Sequence, residues 1–242
     1  MVTMDALNTE LAFSFARFAE GFDEHIRRSI RGYVDLLSDC IGLSEYFVED
    51  GTIVFDIGCS TGTFLYEILR KNRDRCPATR YIGIDIEDNF SKYWPDSRSD
   101  LVSLLVADAR TFQIPENCSF VTSIFSLQFI SPRERQTLIN NIYRSLIPGG
   151  ALIIAEKTLS GLSRLNDMLT SIYYEFKRQS FTEEEILAKE RSLRSIMKLW
   201  TEEQILNSLK AAGFTRANVQ CFWRNHNFAA FIALKNVTGV AP

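Results

Sequence analysis

The sequence predicts an α/β fold, a Rossmann-like doubly wound mixed sheet of seven strands with helices on both faces, and three observations carry that expectation. Short apolar runs ending in an acid recur along the first half: Val54-Phe55-Asp56, Arg80-Tyr-Ile-Gly-Ile-Asp85 and Leu101-Val-Ser-Leu-Leu-Val-Ala-Asp108. Such runs suit parallel strands covered on both faces. A glycine turn, Gly58-Cys59-Ser60-Thr61-Gly62, follows the first of them, where nucleotide-binding sheets turn from strand to helix. Near the end, residues 218–224 and 228–235 read as two strands joined by Asn225-His226-Asn227, which makes an antiparallel edge.

The elements follow in order. A helix is expected over 64–72 between the first two acidic strand ends, a fourth strand over 120–128, a helix over 133–146, a Pro148-Gly149-Gly150 turn and a fifth strand over 151–156. Ala212-Gly213-Phe214 closes a last helix. The 242 residues are read as one domain, with an N-terminal helical cover over 1–48 and a helical insertion over 159–199 acting as lid or dimer element. Within the insertion, Leu162, Leu165, Leu169, Ile172 and Phe176 recur at three- and four-residue steps, and Ile186, Leu193 and Met197 continue the spacing. Stripes of that length need a partner, and a homodimer is the expectation. Glu183-Glu-Glu185 reads as a helix first turn capped by Thr182 or Ser180.

The turn after the first strand sets the ligand. A dinucleotide site would usually read Gly-x-Gly-x-x-Gly, with amides facing a pyrophosphate. Here the middle glycine is replaced and the turn opens on Asp56-x-Gly58, so an acidic strand end meets the ligand. That suits a cationic amino-acid group, and S-adenosylmethionine is the expected cofactor, with S-adenosylhomocysteine as its product form. Asp56, Gly58, Cys59, Ser60 and Gly62 form the first part of the site. Asp85 falls where a carboxylate bonds a ribose diol, and Asp108-Ala109 where an adenine edge is recognised. Phe125, within the fourth strand, is placed with them. Cys59 reads as a small residue tolerated in the turn rather than a nucleophile. Phe90, Tyr93 and Trp94 follow the second strand, where Pro95 stops a helix; they could wall the adenine or form a satellite core.

Composition limits the alternatives. The chain carries 27 Lys+Arg against 30 Asp+Glu and has no long basic run, so no footprint for direct nucleic-acid binding is expected and a small-molecule substrate is favoured. No apolar stretch is long enough to span a membrane, and Met-Val-Thr-Met-Asp lacks a basic region followed by an apolar one; a cytoplasmic protein is expected. Five cysteines without a C-x-x-C pair and only two histidines point to reduced core thiols and no metal site.

Several motifs together resemble the carboxy-S-adenosylmethionine synthase family of class I methyltransferase-fold proteins. They are Phe22-Asp-x-x-Ile-x-Arg-Ser-Ile-x-Gly-Tyr33, Asp56-Ile-Gly-Cys-Ser60, Ser126-Leu-Gln-Phe129, Pro148-Gly-Gly-Ala-Leu, Glu156-Lys157, Glu175-Phe-Lys-Arg178 and Ala212-Gly-Phe214. The resemblance runs from about Phe15 to Lys235. It implies an enzyme that decarboxylates prephenate and adds the carboxyl to the methyl of S-adenosylmethionine. It also implies cofactor contacts at Tyr33, Gly58 to Ser60, Asp85-Ile86 and Asp108-Ala109, and a homodimer.

The departures are as informative. Where the family has asparagines, this chain has Ile86 and Ile124; where it can show a histidine pair, Tyr173-Tyr174. Counting without gaps from Lys177-Arg178 to Met197, the family arginine that holds the added carboxylate falls on Glu190, whose charge would repel that product in a partly dry cleft. Arg191 lies one helical step of about 100° away. The expectation is therefore a methyltransferase acting on a small molecule, with Tyr33, Tyr173 and Tyr174 orienting the substrate or facing the sulfonium; the tyrosine pair could equally pack an interhelical or dimer surface. Carboxylated-cofactor synthesis using Arg191, self-cleavage or cyclisation of the cofactor, and a non-catalytic cofactor-binding protein remain open.

Overall fold

The computed structural model describes residues 21–94 and 99–237. The first 20 residues of the N-terminal cover, the start of the resemblance at Phe15, and Pro95 lie outside them. Two helices open the described chain, α1 (Phe22–Ser29) and α2 (Tyr33–Phe47), followed by β1 (Ile53–Ile57), α3 (Thr63–Asn72), β2 (Arg80–Asp85) and β3 (Val102–Val106). Then come β4 (Cys118–Ile124), α4 (Pro132–Ser145), β5 (Leu146–Leu159), α5 (Ser163–Lys177), α6 (Glu183–Arg194), the two-residue β6 (Trp200–Thr201), α7 (Glu202–Ala212), β7 (Val219–Asn225) and β8 (Phe228–Leu234).

The main sheet runs β3-β2-β1-β4-β5-β8-β7. Strands β1 to β5 are parallel, whereas β8 is antiparallel to both β5 and β7. Chain order reverses between β1 and β4, and the carboxyl ends of those two strands leave a crevice there. Each face of the sheet has its own core. Phe55, Ile57, Val121, Leu152 and Ile154 pack on Leu138, Ile139 and Ile142 of α4 and Ile205 and Leu209 of α7. Val54, Phe120, Ile153 and Ala155 pack on Leu36 and Cys40 of α2 and Leu65 and Ile68 of α3. Two helical layers on one sheet explain why the strands read as continuous apolar runs rather than alternating ones.

Three boundaries differ from the sequence-based expectation. Strand β3 stops at Val106, so Asp108 stands in the loop beyond it. Strand β4 stops at Ile124, because Phe125 takes φ 56° and turns the chain into a short 3₁₀ turn, Leu127–Phe129. Strand β5 begins at Leu146 and carries Pro148-Gly149-Gly150 within it, with Gly149 at φ 82°, a left-handed residue inside a bulged strand. The insertion forms two helices, α5 and α6, and Thr182 and Glu185 close a capping box at the start of the second. No described helix is long and apolar enough to cross a membrane. All five cysteines are free and four are buried.

Candidate functional site

A cleft of about 730 Å³ opens over the β1/β4 crossing, between α1, α2 and the insertion, a size that suits a cofactor together with a small substrate. Its floor is the turn after β1. Gly58 takes φ 77°, and a side chain there would meet Ser126 Oγ at 2.0 Å, so glycine is required. The amides of Gly58 and Cys59 both donate to the Ile84 carbonyl, at 2.8 and 3.0 Å, and fasten the turn to β2. Ser60 N–H donates to Asp85 Oδ2 at 2.9 Å, while Glu87 N–H donates to Oδ1 at 2.9 Å. Trp94 Nε1–H donates to the Ser60 carbonyl at 2.8 Å. On the outer side, the Thr61 hydroxyl donates to both oxygens of Asp23, at 3.1 and 3.2 Å, which ties α1 to the same turn.

The β1 to β3 end of the cleft is acidic. Asp56 is buried, accepts the Thr122 hydroxyl at 2.6 Å, and burial pushes its pKa up to about 7. Burial also raises Asp85, against the opposing pull of the amides that bond it. Asp108 is held below its ordinary value by Arg110, whose Nε lies 2.9 Å from it. Ile86, Asp108 and Ala109 line this end, as do Phe90 and Ile124. Phe90 is buried edge-on to Phe22, at 5.0 Å between ring centroids.

The opposite end, beneath the insertion, is basic. Lys157, at the carboxyl end of β5, points its ammonium at the rings of Tyr173 (4.9 Å) and Phe228 (5.9 Å). Lys177, at the end of α5, meets the rings of Tyr173 (5.7 Å) and Phe181 (5.3 Å). Lys189 of α6 completes the wall. Burial lowers Lys157 to about 8, opposed by the charge of Glu190 and helped by that of Lys177, and burial with Lys177 lowers Lys189 to about 7. Burial, then Lys189, Lys177 and Arg28, lowers neighbouring His25 to about 4, so at neutral pH His25 adds no charge to this wall. Three lysines at one end give that half of the cleft a basic lining.

Between the two ends runs a chain of rings: Tyr33 to Phe125 (6.2 Å), Phe125 to Phe228 (5.7 Å), and Phe228 to Tyr173 (5.3 Å). Tyr33 and Tyr173 both line the cleft, and burial holds both phenols well above their ordinary pKa. Tyr174 does not line it. Its hydroxyl donates to Glu190, which also pairs with Arg194 at 2.9 Å. Glu190 itself does not line the cleft, whereas Lys189, one residue earlier on α6, does; the Glu190 charge still acts on Lys157 and Lys177. Arg191 is exposed and does not line the cleft either.

The sequence offers no site role for the lysines, Asp23 or Phe228, and Trp94 only as an adenine wall or satellite core. Lys157, Lys177 and Asp23 lie in the motifs Glu156-Lys157, Glu175-Phe-Lys-Arg178 and Phe22-Asp-x-x-Ile, which carry the family resemblance without an assigned function.

Comparison with known proteins agrees with the architecture. A family model described as a methyltransferase domain matches residues 54–150. The carboxy-S-adenosyl-L-methionine synthase of Staphylococcus epidermidis is 32% identical over 228 residues, covering 92% of this chain and 96% of that protein. The synthase of Erwinia tasmaniensis is 35% identical over 227 residues, covering 90% of this chain and 89% of its own. Among solved structures, human N-acetylserotonin methyltransferase in complex with SAM superposes with a TM-score of 0.59 at 18% identity, over 92% of this chain and 56% of that one. The [4+2]-cyclase SpnF does so with a TM-score of 0.57 at 22% identity, over 87% and 84%. At those identities the structures speak for the fold alone.

Proposed function

Because the chain belongs to the carboxy-S-adenosyl-L-methionine synthase-like family of class I methyltransferase-fold proteins, we propose that it joins a carboxyl group, taken from a small anionic donor, to the methyl carbon of S-adenosylmethionine. It is an S-adenosylmethionine-dependent transferase. The finer assignment is carried by one observation, the division of charge along the cleft, with Asp56, Asp85 and Asp108 at one end and Lys157, Lys177 and Lys189 at the other. An acidic half with a glycine cradle fits a cofactor that offers a diol, an amine and a sulfonium; a basic half fits a carboxylate.

The residues present fit the cofactor. Asp85 would take the ribose hydroxyls, Asp108 and Ala109 the adenine edge, and Asp56 with the Gly58–Ser60 backbone the amino-acid end, while Gly62 shapes the turn into α3. S-adenosylmethionine supplies a sulfonium that activates its own methyl group. Tyr33, Phe125 and Tyr173 line the cleft and would offer rings to a cation. Lys157 and Lys177 would hold and orient the donor's carboxylate beside those rings. In balance, the donor's carboxyl leaves as carbon dioxide while its ring aromatises and expels its hydroxyl as hydroxide, the methyl carbon would exchange one proton for that carboxyl, and the proton and hydroxide make water. Prephenate is the donor that the family resemblance implies.

Incubation of the purified protein with S-adenosylmethionine, with and without prephenate, followed by mass spectrometry of the adenosyl products, tests this. A cofactor heavier by one carboxyl only when prephenate is present is the expected outcome. S-adenosylhomocysteine formed with an acceptor would replace the assignment by methyl transfer. That second possibility is favoured by Ile86 and Ile124, which put apolar side chains on the cofactor half of the cleft.

Charge sets a pH dependence. Lys157 titrates at about 8 and Lys189 at about 7, both lowered from the ordinary lysine value, so their positive charge fades as pH rises through that window. Prephenate affinity is expected to fall between about pH 7 and 9. Stability moves the other way: a lowered lysine pKa means the unfolded chain holds the proton longer, so the folded form gains as pH rises above about 7. Calorimetric titrations across that range check the first trend, and the slope should flatten in Lys157→Met.

We also propose a homodimer. Leu162, just before α5, is 69% exposed, Met168 and Ile172 within it are 53% and 50% exposed, and Leu165 of the same helix and Leu187 of α6 are exposed as well. An apolar stripe of this extent suits a buried interface. Light scattering at micromolar concentration should give twice the chain mass; a monomer there would leave the insertion as a lid alone.

A further inference from the structure

Arg135 sits in the first half of α4, where its neighbours Arg133 and Glu134 are surface charges, yet it is only 1% exposed. Its Nε–H donates to the Ile130 carbonyl at 2.8 Å, and its Nη2 donates to the Gln128 carbonyl at 3.2 Å and to the Lys198 carbonyl. The guanidinium lies 4.7 Å from the Trp200 ring centroid. Lys198 N–H answers by donating to the Gln128 carbonyl at 2.8 Å. One side chain thus joins two segments distant in sequence: the turn after β4, and the strand by which the insertion returns to the sheet.

The turn is itself tied to the basic half of the cleft. Gln128 Oε1 accepts the Lys157 amide at 3.1 Å, and Glu156 accepts the amides of Leu127 and Gln128 at 3.0 and 2.8 Å. Glu156 is buried, which pushes its pKa up to about 8 against the opposing charge of nearby Arg135. Gln128, Ile130, Lys157 and Met197 all line the cleft.

We propose that Arg135 is a positioning residue that locks the helical insertion to the turn bearing Gln128, and so fixes Lys177 and Lys189 relative to Lys157. The planar fork suits the task, since it serves three carbonyls in divergent directions while stacking on a ring, which a lysine ammonium cannot do.

Arg135→Lys keeps the charge beside Glu156 and removes the fork. Amide hydrogen exchange followed by mass spectrometry should show protection lost together, by about tenfold or more, in residues 128–130 and 198–200, with β1 and β2 unchanged. S-adenosylhomocysteine affinity should stay within about threefold, because that half of the cleft is anchored separately. A protection loss spread evenly over the sheet would make Arg135 an ordinary core residue and overturn the proposal, as would a loss in only one segment or none. If Arg135→Lys does not fold, Trp200→Leu, which leaves the three acceptors in place, is judged by the same two segments. The activity arm rests on the function proposed above, with kcat for the carboxylated product falling at unchanged KM for S-adenosylmethionine; the exchange arm does not depend on it.

Discussion

Replacing Asp85 by alanine is expected to weaken S-adenosylmethionine binding by about 10- to 150-fold, the equivalent of roughly 1.5–3 kcal/mol for a charged hydrogen-bonding site. Two losses add. The carboxylate fixes the cradle through Ser60 N–H and Glu87 N–H, each at 2.9 Å, and its remaining lone pairs are available to a ribose diol. Asp85→Asn separates the two: its carbonyl can keep one amide bond, but its NH₂ faces the other N–H donor, so an intermediate loss is expected. Calorimetry on variants with native circular dichroism is the measurement. Unchanged affinity in a folded Asp85→Ala protein would mean that the ribose is held elsewhere, and the assignment of the β2 end to the cofactor would fall.

How much of this was legible in the sequence follows from what each residue's role depends on. The β1 turn could be read because its requirements are local: an apolar strand, an acid, and a glycine forced to positive φ where a neighbour leaves no room for a side chain. The order of strands followed from the same periodicity. The basic wall could not be read that way. A lysine on a predicted helix looks like a solvated charge, and Lys177 becomes buried only because α5 folds back over the cleft. Lys189 and Glu190 differ by one helical step of about 100°, and which of the two faces the cleft is decided by how α6 packs rather than by a count along the chain. Arg135 was hidden by its setting in Pro132-Arg-Glu-Arg135, which resembles an exposed first turn; its burial is a consequence of where Trp200 and Lys198 arrive from far along the chain. Phe125, at φ 56°, illustrates the same limit, because a positive φ in an aromatic residue is imposed by tertiary contacts and leaves no local signature.

The second large effect is expected at Gly58. Alanine there would carry a Cβ 2.0 Å from Ser126 Oγ and 2.8 Å from Ser126 Cβ, on a backbone at φ 77°. Rotation of the serine side chain can move the hydroxyl away but cannot move its Cβ, so the turns after β1 and β4 must separate. Left-handed backbone costs an alanine about 1–2 kcal/mol, and the overlap adds a similar overpacking penalty, for a predicted total of about 2–4 kcal/mol. At roughly 2–4 °C per kcal/mol for a domain of this size, the melting temperature should fall by about 4–16 °C. Cofactor binding should fall as well, since Gly58 carries one of the two amides that fasten the cradle to Ile84. Ser126→Gly supplies the decisive comparison because it removes both atoms that the new methyl group meets. In the double variant the overlap part should return while the left-handed part stays lost, so the two substitutions should be non-additive by about 1 kcal/mol or more. Strict additivity in thermal unfolding would show that the two turns do not press on one another at the β1/β4 crossing, and the close approach that shapes the cleft floor would have to be abandoned.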